Sequence, residues 1–67
     1  MSIKFSLSER EKEVLTLLSE GLPVKDVSRL MRISDNTAKL YLLNACRKLN
    51  ARNRVEAVAI AFRHKAL

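Results

Sequence analysis

The sequence has no tryptophan, one cysteine, one glycine, one proline and three aromatic side chains in 67 residues. Each scarcity excludes a class of protein. Cys46, the single cysteine, cannot close an internal disulfide, and no second cysteine or histidine stands beside it at zinc-ligand spacing. The fold therefore rests on apolar packing, and neither metal nor cofactor is expected. The longest apolar run, residues 57–62, is far too short to span a membrane, and the opening Met-Ser-Ile-Lys-Phe-Ser has no signal-peptide core. A cytoplasmic setting without a membrane partner follows. No Pro-, Gly- or Ser-rich linker divides the chain, so one domain over 1–67 is expected, with 1–6 as a flexible N-terminal segment. A chain this short buries only about 60% of the surface it exposes when unfolded, leaving no room for a deep catalytic cleft. No nucleophile, base and orienting group occur together, so an enzyme is not expected.

Acidic residues are also scarce beyond the first third. Residues 1–20 carry three basic and four acidic side chains, whereas residues 21–67 carry ten basic against Asp26, Asp35 and Glu56. The overall charge of +6 is therefore concentrated in the later part of the chain. A positive surface of this kind favours a polyanion as partner, with nucleic acid ahead of an anionic membrane.

The few breakers and the capping residues cut the chain into four helices, near 9–20, 23–31, 35–49 and 54–66. Ser8 followed by Glu11 makes a capping box for the first, with Val14, Leu15, Leu17 and Leu18 as its apolar face and Gly21 as its left-handed stop. Pro23 suits the first turn of the second, where Val24, Val27, Leu30 and Met31 recur at helical spacing with Ser28 outside. Ser34 caps the third and Asn50 closes it; Asn53 with Glu56 opens the fourth. The pattern predicts an all-α, four-helix domain.

The third helix carries the functional signal. At about 100° per residue, Ala38, Leu42, Ala45 and Leu49 share one line, flanked by Tyr41 and Cys46. The opposite side collects Asn36, Lys39, Leu40, Leu43, Asn44 and Arg47, with Thr37 at its edge. Lys39 and Arg47 can reach phosphates or guanine acceptors, the two asparagines can read adenine, and the leucines can touch thymine methyls. Tyr41 can send its hydroxyl to a phosphate. A short helix, a turn and a capped longer helix of this character form a helix-turn-helix.

At these residues the chain resembles the LuxR/NarL/FixJ-type helix-turn-helix family. Four blocks carry the likeness: Leu7-Ser8-Glu9-Arg10-Glu11-Lys12-Glu13-Val14-Leu15, Gly21-Leu22-Pro23-Val24-Lys25-Asp26-Val27, Ile33-Ser34-Asp35-Asn36-Thr37-Ala38-Lys39-Leu40-Tyr41-Leu42, and Arg47-Lys48-Leu49-Asn50-Ala51-Arg52-Asn53-Arg54-Val55-Glu56-Ala57-Val58. The resemblance implies a tetrahelical DNA-binding domain of bacterial transcription regulators that dimerises on DNA through its last helix. It implies that Thr37 and Lys39 meet the DNA backbone or bases, and that Leu40 and Leu43 lie where base contacts are made. Lys25, Arg47 and Lys48 match positions that contact the backbone. Ala38, Tyr41 and Asn50 depart from the Val, His and Gly usual in the family, and Leu43 stands at a position that is often polar. Family members usually carry an N-terminal receiver or ligand-binding domain, which implies a signal-receiving partner domain.

The fourth helix is apolar on two sides. Ala57, Ile60 and Ala61 share one side, and Val55, Val58, Ala59 and Phe62 another. One side covers the domain, and the second fits a homodimer that presents two recognition helices to a two-fold operator. An alternative of another class is a small interaction protein that pairs with a longer regulator of the same type without reading DNA. The expected function is sequence-specific binding of double-stranded DNA for transcription regulation.

Overall fold

Four helices follow one another in chain order: α1 (Glu9–Ser19), α2 (Val24–Met31), α3 (Asp35–Leu49) and α4 (Arg54–Arg63). The computed structural model describes residues 7–64. The segment 1–6, expected to be flexible, lies outside the described residues, as do residues 65 and 66 of the expected fourth helix. Among the described residues no helix is long and apolar enough to cross a membrane.

Local chemistry sets the boundaries. The Ser8 hydroxyl accepts from the Glu11 N–H at 3.1 Å, and the Glu11 carboxylate accepts from the Ser8 N–H at 2.9 Å, so the capping box is closed in both directions. Gly21 follows the end of α1 at φ +88°, a backbone conformation that side-chain-bearing residues rarely adopt. Pro23 is the N-cap of α2 rather than its first helical residue. Its ψ of 159° is extended, and its carbonyl accepts from the Asp26 and Val27 N–H groups. The helix therefore starts one residue later than expected. Arg32 closes α2 and Asn50 closes α3, both left-handed at φ 59° and 55°. The fourth helix ends at Arg63 rather than near 66, with His64 as a cap at φ −99°, ψ 11°.

Two apolar clusters meet at α3. Leu7, Leu15, Ala45, Leu49, Ala57 and Ala61 join α1, α3 and α4, while Val14, Val27 and Met31 join α1 and α2. Leu42 packs against both clusters, which makes α3 the element on which the other helices converge. Alanine at 45, 57 and 61 lets α3 and α4 approach closely, since each is fully buried with only a methyl between the backbones.

The burial of α2 corrects one expectation. Leu30 is 62% exposed, whereas Ser28 is buried. On a helical projection Val24, Val27, Ser28 and Met31 span one continuous side, and Leu30 falls about 100° away from its centre. The helix is thus rolled toward Ser28. That roll is tolerated because the Ser28 hydroxyl is satisfied, lying against the Lys25 carbonyl and the Asp35 carboxylate.

Candidate nucleic-acid interface

Three fixtures outside its own backbone hold α3. At its start, the Ser34 hydroxyl accepts from the Thr37 N–H at 3.0 Å, and the Asp35 carboxylate accepts from the Ser28 hydroxyl of α2. The turn between α2 and α3 is thereby tied at both sides. Toward its end, Lys48 Nζ donates to Glu11 Oε1 at 2.8 Å, joining α3 to the capping box of α1. Along its length, Ala38, Ala45 and Leu49 are buried. The inner face is fixed, so the outer face has a defined position.

Glu11 is the electrostatic anchor of this arrangement. Its side chain is only 6% exposed, and burial opposes ionisation. The hydrogen bond and charge of Lys48, with the backbone and hydroxyl of Ser8, more than offset that penalty and hold the carboxyl below the ordinary glutamate range. The resemblance places Lys48 at a backbone-contacting position. In the fold its ammonium also pairs with Glu11, an ion pair that ties α3 to α1.

The outer face of α3 presents Asn36, Lys39, Leu40, Leu43, Asn44 and Arg47, all exposed. Leu40 is 57% and Leu43 46% exposed, an unfavourable display of apolar surface for a helix that meets only water. No carboxylate interrupts this set. Thr37 is half-buried at the edge, where its oxygen accepts from the Ser34 hydroxyl at 2.8 Å. Tyr41 is also half-buried, packed beside Val14, Val27 and Met31. Lys25 stands exposed on α2, apart from the α3 set.

Two further cations, Arg52 and Arg54, adjoin the same surface. Arg52, in the α3–α4 loop, and Arg54, the first residue of α4, line a shallow groove of about 520 Å³ with Lys39, Leu43 and Arg47. Arg52 in the loop and Arg54 at the first position of α4 fall outside the periodicity of α3, so helical spacing does not place them beside Lys39 and Arg47. Cys46 lines the groove as well. Burial pushes its thiol above the ordinary range, and the nearby Glu56 carboxylate adds to the shift, so the thiol stays protonated at neutral pH. Among the described residues no group of side chains is arranged to hold a metal ion.

On α4, Val55 is 74% and Phe62 57% exposed, and Ala59 is exposed between them. At spacings of four and three residues the three form one stripe, opposite the buried Ala57 and Ala61. Val58 departs from the expected patch. It lies on the flank of α4, half-buried and packed against the core cluster of α1, α3 and α4, because its direction falls between the stripe and the core.

Comparison with known proteins identifies this arrangement. The family model for "Bacterial regulatory proteins, luxR family" matches residues 5–61. The transcriptional activator protein BjaR1 of Bradyrhizobium diazoefficiens is 41% identical over 61 residues, covering 91% of this chain and 25% of that protein. The nitrate/nitrite response regulator protein NarP of Escherichia coli is 43% identical over 54 residues, covering 81% of this chain and 25% of that protein. The structure of the transcription factor GerE superposes with a TM-score of 0.82 at 30% identity, over 94% of this chain and 90% of that one. The chain thus spans about a quarter of the length of the curated relatives it matches, and those relatives are transcription regulators rather than enzymes. With four helices in the GerE arrangement and a family match over most of its length, the chain belongs to the luxR family of bacterial regulatory proteins.

Proposed function

We propose that the chain is a DNA-binding unit of a bacterial transcription regulator, which inserts α3 into the major groove of double-stranded DNA. The carrying observation is the outer face of α3. Amides, cations and two exposed leucines stand together there without a carboxylate, on a helix braced from behind by Ser28, Glu11 and Leu42. An α-helix with its side chains is about 10–12 Å across and the major groove is about 12 Å wide, so the fit is geometric as well as chemical.

In this reading Leu40, Leu43, Asn36 and Asn44 meet base edges, while Lys39, Arg47, Thr37 and Tyr41 take phosphates or the outer bases. Lys25 reaches the backbone from α2. Lys48 acts through its ion pair, by fixing the pitch of α3. The Val55, Ala59 and Phe62 stripe joins two copies on a two-fold operator, with half-sites about one helical turn apart. A signal-receiving domain in a longer protein, supported by the length of the relatives, and a cytoplasmic location complete the proposal.

The test is a fluorescence anisotropy titration of labelled duplex at graded salt. Binding whose log K falls linearly with log salt, by about 0.9 for each phosphate neutralised, is expected. Absence of binding at low salt, together with co-purification of a longer luxR-type regulator, would instead favour the interaction-protein reading.

A further inference from the structure

The groove between α3 and the loop of residues 50–53 extends the positive charge of the α3 face, adding Arg52 and Arg54 to Lys39 and Arg47. Lys39 and Arg47 of α3, Arg52 of the loop and Arg54 at the start of α4 all line it. All four are exposed, and none makes an ion pair among the described residues. Unpaired cations gathered along one groove repel one another, an arrangement that favours an anion between them.

The loop is held rigidly. Ala51 N–H donates to the Cys46 carbonyl at 2.8 Å, and Asn50 N–H to the Arg47 carbonyl at 3.2 Å. The Asn53 side chain accepts from the Glu56 N–H at 2.9 Å, and the Glu56 carboxylate accepts from the Arg52 N–H at 2.8 Å. Glu56, the loop's own carboxylate partner, is thus committed to the backbone. Arg52 and Arg54 stand on a preorganised support, which lowers the ordering cost of binding.

We propose that this groove grips the sugar-phosphate strand bordering the major groove, with Arg52 and Arg54 as phosphate contacts. The inference rests on the reading of α3 as the DNA-facing helix. A helix about 10–12 Å across nearly fills a groove about 12 Å wide, so an element flanking the helix on its outer side stands over a bordering strand, where phosphates are the available ligands. The contact positions the domain and carries no sequence information.

The experiment compares the wild-type chain with R52Q/R54Q and R52K/R54K on labelled duplexes of random sequence, by anisotropy across salt. The glutamine pair is expected to bind every duplex more weakly by a similar factor. Its slope of log K against log salt should be shallower by about 0.9 for each lost contact, so that between 50 and 200 mM salt it loses about tenfold less affinity than wild type does. The lysine pair should restore most of the slope, and thermal melts of all three chains should coincide because both side chains are exposed. A glutamine pair with wild-type slope and affinity, when K39A/R47A binds more weakly, would overturn the loop contact and leave the α3 reading standing. Salt-independent binding by the wild type would overturn both.

Discussion

Lys48 Nζ donates to Glu11 Oε1 at 2.8 Å, joining residues 37 positions apart in the chain. This bond links the N-terminal cap of α1 to the last turns of α3. Its consequence is that one buried carboxylate supports both the start of the domain and the pose of the helix proposed to read DNA.

Substitution at the pair tests that coupling. Glu11→Ala removes half of the capping box and the partner of Lys48, and is expected to cost about 2 kcal/mol in urea denaturation. Lys48→Ala should cost about 1 kcal/mol or less, because its side chain is 39% exposed and water screens the charge.

The pair also predicts a pH dependence. The Glu11 carboxyl is held below its ordinary value of 4.5 in the folded chain, so the unfolded chain binds its proton more readily. Its contribution to stability is complete above pH 4.5 and is lost as pH falls through the lower folded value. In Glu11→Gln, the urea midpoint should change less with pH in that acid window than in the wild-type chain.

The left-handed residues yield opposite effects. No atom lies within 4 Å of a Cβ built on Gly21, so Gly21→Ala meets no clash and its cost is that of the positive φ, about 1 kcal/mol. Arg32→Gly relieves the same strain at φ 59° and should raise stability by about 0.5–1 kcal/mol. Thermal melts of the two variants should shift in opposite directions.

The α4 stripe is tested by charge. Phe62→Asp and Val55→Asp place carboxylates at positions that are 57% and 74% exposed, so the monomer should melt as before. Sedimentation of DNA complexes should show two copies of the wild-type chain on a two-fold site and one copy of either variant.

On α3 the two kinds of contact separate by variant. Lys39→Ala and Arg47→Ala should weaken binding, whereas Leu43→Ala should alter preference at one base step. Selection of duplexes from a random pool by each chain reads the difference, and a uniform effect of Leu43→Ala on all sequences would count against base contact.

The caps were legible because their signals are local. Ser8 with Glu11, Ser34, Asn50, and Asn53 with Glu56 act over three or four residues, and each is found in its expected role. The roll of a helix is a tertiary matter. Ser28 and Leu30 exchanged burial because the partner of Ser28, Asp35, lies in the next helix. Val58 likewise lies between two faces that periodicity alone assigned to one. The engagement of Lys48 depends on a residue 37 positions away, and the alignment of Arg52 and Arg54 with Lys39 and Arg47 depends on the path of a loop. The family blocks marked where binding residues should lie, while the fold decided which of them point outward.

Methylation interference tests the central claim most directly. Duplexes selected by the chain are partly methylated, bound and separated, and the modified positions in the free and bound fractions are compared. With α3 in the major groove, methyl groups at guanine N7 within the site block binding, because N7 lies on the major-groove edge where Lys39, Arg47 and the exposed leucines would sit. Interference confined to adenine N3, on the minor-groove edge, or absent from both positions, would contradict the account.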